Sequence, residues 1–153
     1  MDTGFDPATW NRLHQQLPIG KEGERKVAED LIELGYKINQ TEGKHNYDLS
    51  ATTKSGRLVK IEVKTDLLAH ITGNVGIEFK QNGKPSGIQT TESDIWCWYI
   101  KGINQIYYFE TSTVKSFIDK ELHHMKKETI NSHYYLISLD KIKQYAKLIR
   151  IKN

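Results

Sequence analysis

Cysteine is almost absent, with Cys97 alone among 153 residues. One cysteine can form neither an internal disulfide nor a zinc site built from several cysteines, and we expect it to be a buried strand residue. No apolar run approaches the ~18 residues that a membrane-spanning helix needs. The first ten residues, MDTGFDPATW, lack the basic start and apolar segment of a secretory signal. These absences predict a reduced, cytoplasmic protein without a membrane span.

Breakers of regular structure are also few. The three prolines, Pro7, Pro18 and Pro85, all fall where we predict loops. No internal repeat, low-complexity tract or linker rich in proline or glycine divides the chain, and its length suits one core. We therefore predict a single domain over residues 1–153, in which residues 1–18 form an N-terminal arm or a short helix.

The bulk composition is that of a folded and mildly basic protein. Hydrophobic residues make up 37% of the chain and charged residues 27%, which excludes disorder as the main state. The net charge is +3 at pH 7. A small positive charge is compatible with nucleic-acid binding but does not require it.

The spacing of apolar residues predicts a chain order of helix, several strands, helix, strand and closing helix. The expected class is α/β (or α+β), with a central mixed β-sheet flanked by helices and not a doubly wound parallel sheet. Helices are predicted at 8–16, 20–34, 111–128 and 140–149, and strands at 36–39, 47–53, 57–65, 75–80, 95–100, 105–110 and 134–138.

One predicted strand carries a row of charged residues. In 60-KIEVKT-65 the apolar Ile61 and Val63 share one face, and Lys60, Glu62 and Lys64 share the other. Such a row is typical of a solvated sheet face, and it is also the arrangement of a row of catalytic groups. The neighbouring strand distinguishes the two interpretations.

The preceding strand predicts a partner for the charged row. Residues 54–56 form a short loop between two alternating runs, which indicates an antiparallel hairpin. A three-residue loop places Asp48 opposite Glu62, whereas a two-residue loop places Val63 there. Gly56 favours the three-residue form, because that loop needs a left-handed residue at its last position. We therefore expect the Asp48 and Glu62 carboxylates to face each other.

Two opposed carboxylates need a positive charge between them. Lys64 can supply that charge, and so can a divalent metal ion. Mg²⁺ is usually held by one or two carboxylates together with water and phosphate oxygens. A metal ion at such a site polarises a phosphoryl oxygen, and a nearby lysine orients water or stabilises developing negative charge.

A third acidic residue lies on the first long helix. Glu24 precedes Val27 by three residues and Leu31 by seven, so it lies on the apolar stripe of the helix. It is either a helix-start acid favoured by the helix dipole and paired with Arg25 or Lys26, or an acidic group that points into the same site as Asp48.

These residues together resemble the PD-(D/E)XK nuclease superfamily and its restriction-endonuclease-like fold. The matching residues are Glu24, Asp48 and 62-EVK-64, with Tyr47 where a family member has proline before the aspartate. Residues 20–38 are also similar to the opening helix of archaeal Holliday-junction resolvases, whose pattern is matched here by Glu24-Arg25 and Gly35-Tyr36. The resemblance covers residues ~20–65, which is under half of the chain.

The resemblance implies a complete active site. Asp48, Glu62 and the backbone carbonyl of Val63 would bind Mg²⁺, with Mn²⁺ as a substitute. Lys64 would position the attacking water, and Glu24 would bind a second metal ion or a metal-bound water. The expected partner is DNA, including branched or junction DNA, and the expected assembly is a homodimer.

Other residues are weaker candidates for contacts with nucleic acid. Residues 76–94 form a long polar segment, in which Lys80, Lys84 and Ser86 are candidate phosphate ligands. His45 lies three residues before Asp48 and is a further candidate. A surface hairpin with ordinary turn chemistry explains 76–94 equally well, and a loop histidine without a partner is the other interpretation of His45.

Three other functions stay open on the sequence alone. A restriction-type or repair nuclease of the same superfamily would use the same residues. A nucleic-acid-binding module without catalysis would keep the fold, but the complete acidic and lysine set argues against it. In a structural or interaction protein the charged strand face would simply be solvated.

Overall fold

The computed structural model describes residues 19–39, 46–120, 126–128 and 131–152. The predicted N-terminal arm and His45 lie outside these residues. The described part of the chain forms four α-helices and ten β-strands. None of these helices is long and apolar enough to cross a membrane.

The elements follow one another in a mixed order. The helices are α1 (Ile19–Glu33), α2 (Ala69–Thr72), α3 (Thr111–Lys120) and α4 (Leu139–Tyr145). The strands are β1 (Lys37–Asn39), β2 (Leu49–Thr52), β3 (Leu58–Asp66), β4 (Asn74–Gln81), β5 (Lys84–Pro85), β6 (Ile95–Ile100), β7 (Gln105–Glu110), β8 (Lys126–Glu128), β9 (Ser132–Ser138) and β10 (Leu148–Ile151).

The strands form two sheets. The larger sheet has six strands in the order β1-β2-β3-β6-β7-β10. Strands β3 and β6 pair in parallel, and the other neighbours in this sheet pair antiparallel, so the predicted mixed α/β sheet is confirmed. The smaller sheet, in the order β5-β4-β9-β8, is antiparallel throughout and was not predicted as a separate sheet.

Both faces of the larger sheet are packed. On β6 the side chains alternate between two buried clusters, because successive strand residues point to opposite faces. Cys97 and Tyr99 join the cluster under α1, and Cys97 is buried as predicted. Trp96, Trp98 and Ile100 join the cluster shared with the smaller sheet, α3 and α4. The larger sheet is therefore the middle layer of the fold.

Helix α1 ends where the sequence predicts. Gly35 has a φ of +94°, a left-handed conformation that favours glycine. Its N–H donates to the Ile32 carbonyl at 2.9 Å, and the Tyr36 N–H donates to the Leu31 carbonyl at 2.9 Å. These two bonds satisfy carbonyls of the last turn and direct the chain into β1.

Two predicted helices are too long. Helix α3 ends at Lys120, and residues 126–128 belong to strand β8. Helix α4 is capped as predicted by the Ser138 hydroxyl, which accepts from the Lys141 N–H at 3.1 Å. It ends at Tyr145, and residues 148–151 form β10 along the edge of β7. Pairing with β7 satisfies the backbone N–H and C=O groups along that edge. The local spacing of apolar residues does not reveal such pairing.

A buried carboxylate ties α1 to the far edge of the sheet. The side chain of Asp30 is fully buried, and it accepts bonds from Tyr108 Oη at 2.7 Å, Arg150 Nε at 3.0 Å and Lys152 Nζ at 2.8 Å. Burial alone raises the pKa of Asp30, but the bonds from Lys152, Tyr108 and Arg150 outweigh it, so the pKa lies below its ordinary value. The sequence patterns did not single out this network.

We expect Asp30→Asn to lower the free energy of unfolding by about 3 kcal/mol at pH 7, because it removes the buried carboxylate that accepts from Tyr108, Arg150 and Lys152. Since the pKa of Asp30 is lowered on folding, its stabilisation is present above the unfolded pKa and is lost as pH falls through the folded pKa. Urea denaturation at pH 7 and pH 3 measures the difference. The control is Glu33→Gln, which removes an exposed carboxylate that contacts the same two cations. A smaller loss in the Asn variant than in this control would contradict the assignment.

Candidate active site

The β2–β3 hairpin has the register that the three-residue loop predicts. Leu49 pairs with Ile61, and the Thr53 N–H donates to the Arg57 carbonyl at 2.9 Å. Gly56 has a φ of +89° at the last loop position. The loop therefore fixes which residues of β2 and β3 face each other.

Asp48 lies one residue beyond the end of this ladder. Its N–H donates to the Ile61 carbonyl at 2.9 Å, and its Oδ2 accepts from the Val63 N–H at 2.8 Å. The carboxylate is thus held at the edge of β3 where β2 ends. The N–H and C=O of one strand residue point to the same edge, so the Val63 carbonyl also faces the Asp48 side.

Glu62 and Lys64 do not lie on a solvated face. They pair with Trp96 and Trp98 of β6, both of which are buried, so the charged row borders the packed face of the sheet. The Glu62 side chain is only 14% exposed, and its Oε2 lies 3.1 Å from Lys64 Nζ. The Lys64 ammonium also lies 5.6 Å from the centroid of the Trp96 ring. The interpretation as a simple solvated sheet face is therefore wrong.

Glu24 is brought to the same region from α1. It is 7% exposed, and its Oε2 lies 3.0 Å from Lys21 Nζ. Neither of the pairings considered from the sequence is the one observed, since Arg25 bonds Glu29 at 3.0 Å. Burial raises the pKa of Glu24, and the negative charge of Asp48 adds to the increase although Lys21 opposes it.

The Asp48 carboxylate repels the carboxylates of both Glu24 and Glu62. Burial, followed by the Asp48 charge, raises the pKa of Glu62 to about 7, and Lys64 only partly offsets this increase. Asp48 also raises the pKa of Glu24. Within the described ranges, however, no three His, Cys, Asp or Glu side chains converge closely enough to hold one ion together. The arrangement is therefore two adjacent carboxylate pairs that share Asp48.

A glycine on α1 permits the close approach of helix and strand. A β-carbon at Gly23 would overlap with Thr65 Oγ1 and would lie 3.5 Å from Val63 Cγ1. Gly23 precedes Glu24, so the missing side chain lets α1 bring this carboxylate against β3. Sequence reasoning missed this residue, because a glycine within a helical pattern gives no sign of what packs against it.

The weaker candidates lie on the smaller sheet. Lys80 and Lys84 are exposed on the β4–β5 hairpin. The Ser86 hydroxyl donates to Glu78 Oε2 at 3.2 Å, so it already has a protein partner. Lys80 and Lys84 are thus in strands of the smaller sheet, and Ser86 directly follows β5, whereas Glu62 and Lys64 are in the larger sheet.

The family assignment comes from comparison with known proteins. A family profile described as PD-(D/E)XK endonuclease matches residues 14–140. The chain belongs to this family. The matched range includes Asp48, Glu62 and Lys64, whose assignment to the acidic, acidic and lysine pattern in the family's name stays a prediction.

The fold is also similar to that of a solved nuclease. A bacterial homing endonuclease, I-Ssp6803I, matches with a TM-score of 0.57 and 18% sequence identity. The match covers 84% of this chain and 86% of the other. At this level of identity the likeness shows the fold alone. Comparison with curated protein sequences gives no match.

We expect Glu62→Gln to stabilise this PD-(D/E)XK endonuclease in the absence of divalent ions. Folding raises the pKa of Glu62 from 4.5 to about 7. Glu62 therefore destabilises the fold least below pH 4.5, and its cost grows as pH rises towards 7. The glutamine variant should be more stable by about 1–3 kcal/mol at pH 8, and this advantage should shrink as pH falls towards 4.5. Urea denaturation in EDTA measures it.

Glu110→Gln is the matched control for this experiment. Glu110 is exposed and paired with Lys147, and that lysine lowers its pKa. Its substitution should give no gain that grows with pH. If Glu62→Gln were destabilising at pH 8, burial and the Asp48 charge would not outweigh the Lys64 contact of this carboxylate.

We expect Gly23→Ala to lower both stability and nuclease activity, because the added β-carbon pushes α1 away from β3. Overpacking of this kind costs about 1–3 kcal/mol. Thr65→Ala removes the overlapping hydroxyl, whose oxygen is buried without a hydrogen-bond partner. The double variant should therefore recover most of the loss, as a double-mutant cycle in urea denaturation would show. Additive losses would rule out the contact as the cause.

Proposed function

We propose that this endonuclease hydrolyses phosphodiester bonds of DNA in a reaction that depends on a divalent metal ion. Mg²⁺ is the expected ion, and Mn²⁺ the expected substitute. The observation that carries the proposal is the adjacency of the half-buried Asp48 and Glu62 carboxylates, with the Lys64 ammonium 3.1 Å from Glu62. A structural role does not account for two like charges set side by side where solvent screens them poorly.

The donor set fits a hard divalent cation. Asp48 and Glu62 supply carboxylate oxygens, and the Val63 carbonyl faces the same strand edge. Mg²⁺ is commonly held by one or two carboxylates and completes its coordination with water and phosphate oxygens. A bound ion would supply charge neutralisation and polarise the phosphoryl group. The raised pKa of Glu62 shows that its charged form is disfavoured, and such a cation would stabilise that charged form.

Lys64 is placed to act on the attacking water. Its side chain is 35% exposed, so the ammonium reaches solvent while Glu62 and the Trp96 ring hold it. From there it donates hydrogen bonds to a water molecule and stabilises negative charge on the phosphoryl oxygens. Glu24, buried beside Asp48, is the candidate for orienting a further ion or water.

The reaction is an in-line displacement at phosphorus. The water oxygen forms the new P–O bond, and the P–O bond on the opposite side breaks. The attacking water loses its proton to solvent, and the leaving oxygen takes one from solvent. The protein contributes position and charge to this step and forms no covalent intermediate.

The substrate form is a separate part of the proposal. The resemblance of α1 to the opening helix of junction resolvases makes branched DNA the first substrate to test, and Lys80 and Lys84 are candidate backbone contacts. A defined sequence or lesion is the alternative target, as for a restriction-type or repair nuclease of the same superfamily. We also propose a homodimer in the cytoplasm, where a pair of active sites would meet both strands of a substrate.

We expect Asp48→Asn and Lys64→Ala each to lower the cleavage rate by about 100-fold or more, because each removes a group that acts on the reacting atoms. Cleavage of supercoiled plasmid and of a four-way junction is measured with Mg²⁺, with Mn²⁺ and with EDTA. Lys60→Ala is the matched control, since Lys60 lies on the same strand face as Lys64 but its ammonium lies 5.4 Å from the centroid of the Tyr47 ring. EDTA should abolish cleavage by every version.

The other outcomes separate the alternatives. Binding without cleavage by the wild type would indicate a non-catalytic nucleic-acid-binding module. Faster cleavage of the plasmid than of the junction would favour a restriction-type or repair nuclease. Sedimentation of the protein alone and with DNA tests the homodimer.

A further inference from the structure

An exposed apolar segment follows the strand that carries Lys64. Leu67 is 39% exposed, Leu68 is 58% exposed and Ile71 is 73% exposed. All three lie between the end of β3 and the start of β4. A cluster of large exposed apolar side chains beside a site indicates an interaction surface. These three residues are called the apolar wedge below.

The backbone under the wedge is firmly built. Asp66 Oδ1 accepts from the Leu68 N–H at 2.9 Å and from the Ala69 N–H at 2.7 Å. At the other end Gly73, with a φ of +77°, donates its N–H to the Ala69 carbonyl at 2.8 Å. Ala69 itself is fully buried. The turn therefore presents its apolar side chains to solvent from a fixed backbone.

A cavity of about 550 Å³ connects the wedge to Lys64. Its lining includes Lys64 and Leu68 from the β3 end, and Asn74 and Tyr134 from β4 and β9. The Tyr134 ring lies over Gly76, where a β-carbon would come within 3.2 Å of Tyr134 Cδ1. The cavity thus offers an aromatic ring, an amide group and apolar walls beside the proposed catalytic lysine.

We propose that the apolar wedge unstacks one nucleotide next to the scissile phosphate and that this cavity receives its base. The inference rests on the proposed function, because it takes the phosphate to lie at Lys64. Apolar side chains inserted between base steps unstack and kink duplex DNA. Aromatic rings then hold the displaced base by stacking, as the Tyr134 ring would here. The Asn74 amide can hydrogen-bond the edge of that base.

The geometry favours a nucleotide over a protein partner as the occupant. Lys64 is part of the cavity wall, so a molecule that fills the cavity occupies the proposed active site. A substrate is the partner that must reach Lys64. The energy needed to displace a base is smallest where that base is already unpaired. The preferred substrate class is therefore DNA with a mismatch, bulge or other unpaired nucleotide at the cleavage position.

The test uses DNA in which 2-aminopurine replaces the base beside the mapped cleavage position. It compares Leu68→Ala and Ile71→Ala with Leu58→Ala, whose side chain is 56% exposed at the other end of β3. Asp48→Asn serves as the background that blocks cleavage during the fluorescence measurement. The fluorescence should rise on binding in this background and with Leu58→Ala added, and it should not rise with either wedge variant added.

The cleavage arm uses the three single variants without the Asp48 change. Leu68→Ala and Ile71→Ala should slow cleavage of the matched duplex about 10-fold or more, because they remove the unstacking contact. On a duplex with a mismatch at that position the loss should fall below about 3-fold, because the base is already unstacked. Leu58→Ala should cleave both DNAs at the wild-type rate.

Other results would overturn the inference. Equal losses of cleavage rate on matched and mismatched DNA would show that the wedge contacts DNA without unstacking a base. Loss of a dimer on sedimentation of the wedge variants, with the fluorescence rise intact, would make the segment a protein interface. If the wild type cleaves no DNA, the proposed function fails and no cleavage position can be mapped. A set of duplexes with 2-aminopurine at each position in turn then decides whether the wedge unstacks a base.

Discussion

The register of the β2–β3 hairpin is the constraint on which the candidate site depends. Side chains on a strand alternate between faces, so a slip of one residue would exchange the charged row with Ile61 and Val63. The three-residue loop with Gly56 at its left-handed position sets the register at one end. The bond from the Val63 N–H to Asp48 Oδ2 holds it at the other. The same bond also fixes the Asp48 carboxylate, whose charge acts on both Glu24 and Glu62.

Helix α1 carries two buried carboxylates in opposite electrostatic situations. Asp30 is surrounded by donors from Tyr108, Arg150 and Lys152, so its pKa lies below the ordinary value despite burial. Burial raises the pKa of Glu24, the Asp48 charge adds to the increase, and the single lysine partner Lys21 only partly opposes it. One carboxylate thus fixes the helix on the sheet. The environment of Glu24 disfavours its charged form, so stability of the fold alone does not explain a carboxylate at this position.

Local patterns predicted the parts of the site that depend on neighbours in sequence. The loop length gave the Asp48 register, and helical spacing gave the burial of Glu24, because turn geometry and periodicity are properties of short segments. Strand β10 escaped prediction, since its four residues pair with β7 across a long sequence separation. Gly23 and Asp30 escaped for the same reason. Their partners Thr65 and Lys152 are distant in sequence and come together only in the folded chain.

The unequal pairing of the two edges of β3 explains why a charged strand at the centre of a sheet is still accessible. On one edge, β6 pairs with β3 from Ile61 to Asp66. On the other, within the part of the chain that the structure describes, β2 pairs only from Leu58 to Ile61. The chain therefore diverges from β3 at Asp48, and the second half of β3 is open along this edge. A buried strand would ordinarily have no room for charged groups or a ligand, because both edges and both faces are occupied. Here the early end of β2 leaves the carboxylates of Asp48 and Glu62 and the Lys64 ammonium at an opening, while the packing of β6 keeps them rigid.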